Sequence, residues 1–134
     1  MPNDLVEAAT AARLNAVATY SGFRIGSAIE TAAGRVFTGC NIENASLGLT
    51  VCAERVALWK ALSEGEREFT RIAVVSDSET PATPCGACRQ LLWEYCGDIP
   101  LLLHSIRGNS RTAQLAELLP QPFHRGYFST GKSD

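Results

Sequence analysis

Three cysteines and one glutamate in this 134-residue chain are spaced for metal chemistry. Cys85 and Cys88 stand three apart in Pro84-Cys85-Gly86-Ala87-Cys88-Arg89-Gln90. A helix is expected to begin there, and the spacing puts both sulfurs on one side of its first turn. Cys52 opens a second expected helix, in Cys52-Ala53-Glu54-Arg55. A helix N-terminus carries partial positive charge and unpaired N–H groups, which favour a thiolate over a thiol. Two such termini meeting would offer three sulfur ligands to a zinc ion. Three protein ligands leave one tetrahedral position open, the arrangement of a catalytic rather than a structural zinc. Glu54, two residues after Cys52, can sit beside such a metal without ligating it and carry a proton between water and a substrate nitrogen.

The elements that must position these groups are read from periodicity. Apolar and alanine residues at helical spacing predict a helix from Asp4 to Tyr20, ended by Ser21-Gly22. Ile25 to Thr31 and Val36 to Cys40 read as a hairpin with its turn near Ala33-Gly34. Asn41 to Thr50 is an irregular polar loop, and Cys52 to Glu64 a strong helix with Gly65 just beyond it. Arg71 to Ser76 reads as a strand, Ser78 to Pro84 as a loop, Gly86 to Tyr95 as a helix, and Pro100 to His104 as a strand. Thr112 to Leu118 is expected to be a last helix, stopped by Pro120. This α-β-β-α-β-α-β-α order implies an α/β fold with a mixed sheet and helices on its faces.

Composition narrows the functional classes. Hydrophobic residues are 46% and charged residues 19%, ordinary for a soluble globular protein. Length and the absence of repeats, linkers and low-complexity segments predict one domain over 1–134 with a polar tail at 129–134. Net charge is −2, and the ten arginines and two lysines are scattered, so no basic footprint for a nucleic acid polymer is present. No apolar run nears the ~20 residues needed to cross a membrane. The start of the chain carries Asp4 and Glu7 without a basic region, unlike a signal peptide. Five cysteines, an odd number, argue against a secreted disulfide framework and for a reducing, cytoplasmic setting.

Cys-x-Glu followed by Pro-Cys-x-x-Cys is the pattern of the zinc deaminases. The sequence resembles, more narrowly, the short three-cysteine cytidine deaminases. The matching segments are Tyr20-Ser21-Gly22-Phe23, Gly39-Cys40-Asn41-Ile42-Glu43-Asn44-Ala45-Ser46, Cys52-Ala53-Glu54-Arg55 and Pro84 to Gln90, with Leu118-Leu119-Pro120 and Phe123 near the end. The resemblance implies a three-layer α/β/α sandwich with a mixed five-stranded sheet. It implies one zinc held by Cys52, Cys85 and Cys88, with Glu54 as proton shuttle. Asn41 and Glu43 would bind the ribose hydroxyls, and their i, i+2 spacing puts both on one side of an extended segment. Phe23 would pack on the pyrimidine, the backbone at Ala53 and near Cys85 would hold the ring's polar edge, and Arg55 would hydrogen-bond the ligand sulfurs. The implied reaction is hydrolysis of cytidine and deoxycytidine to uridine and deoxyuridine with release of ammonia, a step of pyrimidine salvage. The implied assembly is a homotetramer whose sites are completed across subunits.

The sequence departs from the family at Leu47, where an aromatic residue, usually tyrosine, is common; Thr19 replaces a frequent proline. Leu47 leaves open a modified cytosine nucleoside such as a blasticidin-type substrate, while the scattered charge counts against a base in RNA. A non-catalytic zinc module is the rival of another class, and it would need a fourth ligand, for which Cys40, His104 and His124 are available. Cys40 and Cys96 read more simply as small packing residues. Trp59 and Trp93 read as core or subunit contacts, and Phe123 either as packing or as closing a neighbouring site.

Overall fold

The computed structural model describes residues 4–128. Five strands form one sheet in the order β2-β1-β3-β4-β5. Strands β1 (Ile25–Thr31) and β2 (Val36–Cys40) are the expected hairpin, and β1 also pairs antiparallel with β3 (Phe69–Ser76). β3 and β4 (Pro100–Ser105) run parallel, joined through α3 (Gly86–Cys96), and β5 (Ser110–Gln114) returns antiparallel along β4.

Alternation along the central strands makes the two faces. Ala28, Ala73 and Val75 point toward α1 (Asp4–Arg13) and meet its buried Leu5 and Ala9. Their neighbours Ile29, Ile72 and Val74, with Leu101 and Leu103, point the other way into the larger core. That core takes Ala57, Leu58 and Ala61 from α2 (Ala53–Ser63) and Leu92 from α3. The result is the expected three-layer α/β/α sandwich. Both helix layers sit directly on strand backbone. A Cβ added at Gly26 would lie 1.9 Å from the Ala9 carbonyl oxygen, and one at Gly39 would lie 2.5 Å from that of Ala53. Gly39 therefore sets how closely the first turn of α2, which carries the Cys52 and Glu54 pair, approaches the sheet.

Two expected elements are corrected. The first helix stops at Arg13 rather than Tyr20. Leu14, Asn15 and Ala16 donate their N–H groups to carbonyls three residues back, which tightens the chain out of the helix. Val17 then pairs with the segment after β2: its N–H donates to the Asn41 carbonyl (2.9 Å) and its carbonyl accepts from Glu43 N–H (2.8 Å). The alanine-rich pattern continued the helical period, but tertiary pairing overrode it. The expected last helix over Thr112 to Leu118 is instead strand β5 followed by the four-residue helix α4 (Leu115–Leu118). Only Ala113 of β5 is buried, so this edge strand is held by its backbone ladder and shows no apolar alternation. A capping box between Gln114 and Glu117 starts α4. Smaller differences extend β3 back to Phe69, β4 to Ser105 and α3 to Cys96, so Cys96 closes the helix rather than following it. The loop after β2 contains one 3-10 turn, Leu47–Leu49. The polar tail at 129–134 lies outside the described residues.

Candidate metal centre and substrate pocket

Cys52 and Cys85 are the N-cap residues of α2 and α3, each in extended backbone, and neither spends its side chain on capping the helix. Cys88 lies one turn into α3 and is buried. The sulfurs of Cys52, Cys85 and Cys88 lie within 4.8 Å of one another, and Cys52 Sγ and Cys85 Sγ are 3.7 Å apart. Ligands about 2.3 Å from a tetrahedral zinc are about 3.8 Å apart, so this pair already has the separation the ion requires. No further His, Cys, Asp or Glu joins the three among the described residues. Cys40 is half-buried outside the cluster, with burial raising its thiol pKa. Cys96 packs against the larger core and its thiol is pushed up to about 12 by the same cause. His104 is half-buried on β4, and His124 is exposed and stacked on Tyr127.

The charge distribution suits a cation. The Cys52 thiol falls to about 6, chiefly because the Cys88 thiol can donate to its thiolate, with Cys85 and the Arg55 charge assisting. Cys88 is raised, since the proton it donates is held in that bond and its own burial adds to the effect. Glu54 is buried and pushed up to about 7, first by desolvation and then by the Cys52 charge. Its Oε1 is buried without a hydrogen-bond partner. An unpaired buried carboxylate oxygen costs about 1–3 kcal/mol or more. A water held by a metal on the three thiols would supply that partner. Donor set, spacing and orphaned oxygen all fit zinc.

A pocket of about 250 Å³ opens beside the thiols, lined among others by Phe23, Asn41, Glu43, Cys52, Glu54 and Cys85. Six of the residues expected from sequence thus share one cavity, while Cys88 is buried and does not line it. Ala53 is fully buried with its carbonyl against the Gly39 position and does not line the pocket, so the structure does not bring this expected site residue to the cavity surface. Arg55 lies 5.7 Å over the Trp59 ring, with its Nε buried and unpartnered, and it makes no hydrogen bond to the cysteine sulfurs. Its action on the thiols here is through charge alone. Trp59 is about half-exposed, whereas Trp93 packs on the core.

Asn41 and Glu43 also build the pocket wall. Asn41 Oδ1 accepts from Ile25 N–H, and its Nδ2 donates to the Phe23 carbonyl, both at 2.8 Å. Glu43 Oε1 accepts from the Tyr20 and Ser21 N–H groups at 2.9 Å, and Oε2 accepts from the Ser21 hydroxyl. The Ser21 hydroxyl in turn accepts from Phe23 N–H (2.9 Å). These bonds lower the Glu43 pKa, the Ser21 hydroxyl most of all. Ser21, Thr50 and Thr83 line the pocket and were not singled out from sequence. Ser21 lay within a matching segment; Thr83 carried no signal. Leu47 is exposed and borders a second, adjoining groove of about 420 Å³ with Tyr20, Ser21, Glu43 and Thr50.

A mixed α/β sandwich with three thiols and a buried carboxylate at the meeting point of two helix starts defines a zinc-dependent hydrolytic deaminase. Comparison with known proteins agrees. Residues 2–100 match the family described as the cytidine and deoxycytidylate deaminase zinc-binding region. A cytidine deaminase of Halalkalibacterium halodurans is 48% identical over 89% of this chain and 91% of its own length. The crystal structure of a cytidine deaminase from Burkholderia pseudomallei superposes with a TM-score of 0.88 at 46% identity, covering 92% of this chain and 99% of that one. A blasticidin-S deaminase of Bacillus cereus is 32% identical over 91% of both chains. The chain belongs to the cytidine and deoxycytidylate deaminase family, and its cofactor is zinc.

Proposed function

We propose that this chain deaminates cytidine and deoxycytidine hydrolytically, giving uridine and deoxyuridine and releasing ammonia. The observation that carries the reading is the thiol cluster beside the buried Glu54 in a pocket that also presents Asn41, Glu43 and Phe23. Cys52, Cys85 and Cys88 would hold the ion. Bound zinc supplies Lewis acidity that brings the ionisation of water toward neutral pH. Glu54 takes the proton of that water and passes it to N3 of the cytosine ring. Once the oxygen has added to C4, Glu54 takes the remaining proton from the C4 hydroxyl and delivers it to the amino group; the C4–N bond breaks, ammonia departs and the C4 carbonyl of the uracil ring remains. Phe23 packs on the ring, and Asn41 and Glu43 bind the sugar hydroxyls. The Arg55 charge offsets part of the negative charge of three thiolates.

Cytidine and deoxycytidine, offered to protein of measured zinc content, are expected to lose absorbance as the amino group leaves. Zinc-loaded protein that deaminates neither would end this reading. Glu54→Gln is expected to keep its zinc and lose turnover by about 10²–10⁴-fold, the range for a lost general acid–base. Leu47 supports a second reading, a modified cytosine nucleoside. It stands where an aromatic side chain would narrow the adjoining groove, so blasticidin S belongs in the same substrate panel.

The reading extends to a single domain over 1–134, a role in pyrimidine salvage, a cytoplasmic location and a homotetramer. Five unpaired thiols favour a reducing compartment. Ile42, Leu47, Leu49 and Trp59 are exposed apolar side chains near the site and give a second copy something to cover. Sedimentation at micromolar concentration tests the assembly.

A further inference from the structure

We propose that Arg89 is a positioning residue for the metal centre: its guanidinium locks the segment that carries Cys85. The inference rests on the reading of Cys52, Cys85 and Cys88 as the zinc ligands. The two thiols of α3 are held in different ways. Cys88 is almost fully buried, so packing fixes its sulfur. Cys85 is exposed, and packing does not hold it. The chain entering it runs through Pro81 and Pro84, which have no N–H to donate. No strand ladders with this segment; Ala82 N–H donates to the Ser76 hydroxyl at the end of β3 (3.3 Å), and the residues next to Cys85 are left to other side chains.

Arg89, one residue after Cys88, turns back and supplies three bonds. Nε donates to the Pro84 carbonyl (2.8 Å), Nη2 to the Thr83 hydroxyl (2.9 Å) and Nη1 to the Leu118 carbonyl at the end of α4 (3.1 Å). Two of these acceptors immediately precede Cys85, and the third anchors the fork to a separate element. A planar guanidinium can satisfy three acceptors in fixed directions, which the point charge of a lysine cannot. Arg89 therefore restricts the backbone on which the exposed thiol is mounted, and ordering that thiol before zinc arrives lowers the entropy lost on binding. Gln90 offers a contrast. Its side-chain amide exchanges two hydrogen bonds with the Phe123 backbone and makes none to the Thr83–Cys85 segment.

The test is the rate at which zinc leaves the loaded protein for excess 4-(2-pyridylazo)resorcinol, with melting of the metal-free protein followed in parallel. Arg89→Ala is expected to release zinc about 10–100-fold faster, the usual cost of losing an outer partner of a metal ligand. Arg89→Lys is expected to release it nearly as fast. Thr83→Val, which removes one acceptor, should show a smaller acceleration, and Gln90→Ala none. Release from Arg89→Ala within twofold of the original would overturn the proposal, as would full rescue by lysine or an equal effect of Gln90→Ala. If Arg89→Ala does not fold, Thr83→Val decides: an unchanged rate refutes the role. A starting protein that binds no zinc would overturn the ligand reading itself, a distinguishable outcome.

Discussion

Gly39→Ala tests whether backbone contact between β2 and α2 sets the alignment of the metal centre. The new Cβ would meet the Ala53 carbonyl oxygen at 2.5 Å, the Ala57 nitrogen at 2.6 Å and Val56 Cβ at 2.9 Å. Ordinary non-bonded contact begins near 3.5 Å, so helix and strand must separate by about 1 Å. The obstructing atoms are mostly backbone of a fully buried helical face, and no side-chain rotation relieves them. Overpacking of this kind costs about 1–3 kcal/mol, a fall in Tm of about 3–15 °C for a chain of this size. The functional effect is expected to be larger than the loss of stability. α2 carries Cys52 and Glu54, while Asn41 follows β2 directly and Cys85 and Cys88 ride on α3. A 1 Å displacement thus moves the proposed proton carrier and one thiol relative to the rest, and misplacement on that scale costs on the order of 10²-fold in rate. The assay is kcat/KM for cytidine below the new Tm, with zinc content measured on the same sample. A folded Gly39→Ala protein with kcat/KM within twofold of the original would refute the argument that this contact aligns the site.

Other consequences are separable. Cys52→Ser, Cys85→Ser and Cys88→Ser are each expected to lose most bound zinc, whereas Cys40→Ser and Cys96→Ser should keep one ion per chain by metal analysis. Arg55→Ala is expected to lower turnover with zinc still bound, because charge near the thiolates is lost while the ligands stay; unchanged kcat would contradict this. Glu43 is held ionised by the Ser21 hydroxyl and two N–H groups, so its folded pKa lies below the ordinary 4.5. Its stabilising contacts are present above pH 4.5 and are lost as pH falls through the lowered value. Ser21→Ala should therefore move the acid limb of KM for cytidine upward in pH, and a limb that stays in place would show that the hydroxyl does not tune Glu43.

Some of this was legible in the chain because it depends only on near neighbours. Three-residue spacing fixes that Cys85 and Cys88 share one side of a helical turn, and the i, i+2 pair Asn41 and Glu43 share one side of an extended segment. Ile25 to Thr31 and Arg71 to Ser76 likewise read as strands from their own residues, and the structure places Ile29, Ile72 and Val74 on one face and Ala28, Ala73 and Val75 on the other. Elements whose identity depends on a distant partner were misread. Residues 14–20 carry enough alanine to continue a helix, yet Val17 gains more from pairing with Asn41 and Glu43. β5 is a polar edge strand defined by β4 beside it, and its composition gives no period to detect.

The residue types and local spacings determined by themselves the chemistry available: three soft sulfur ligands, a carboxylate two residues from one of them, and no fourth thiol at ligand spacing. Tertiary structure decided where that chemistry meets. Cys52 and Cys85 are 33 residues apart, and only the packing of α2 and α3 on one face of the sheet brings their sulfurs to 3.7 Å. It also decided that Glu54 is buried with an unpartnered oxygen, that Glu43 is tied into the 20–23 turn, and that Arg89 reaches back to the Cys85 segment. Burial and long-range hydrogen bonds are properties of surfaces brought together in space, and no short window of sequence contains both surfaces.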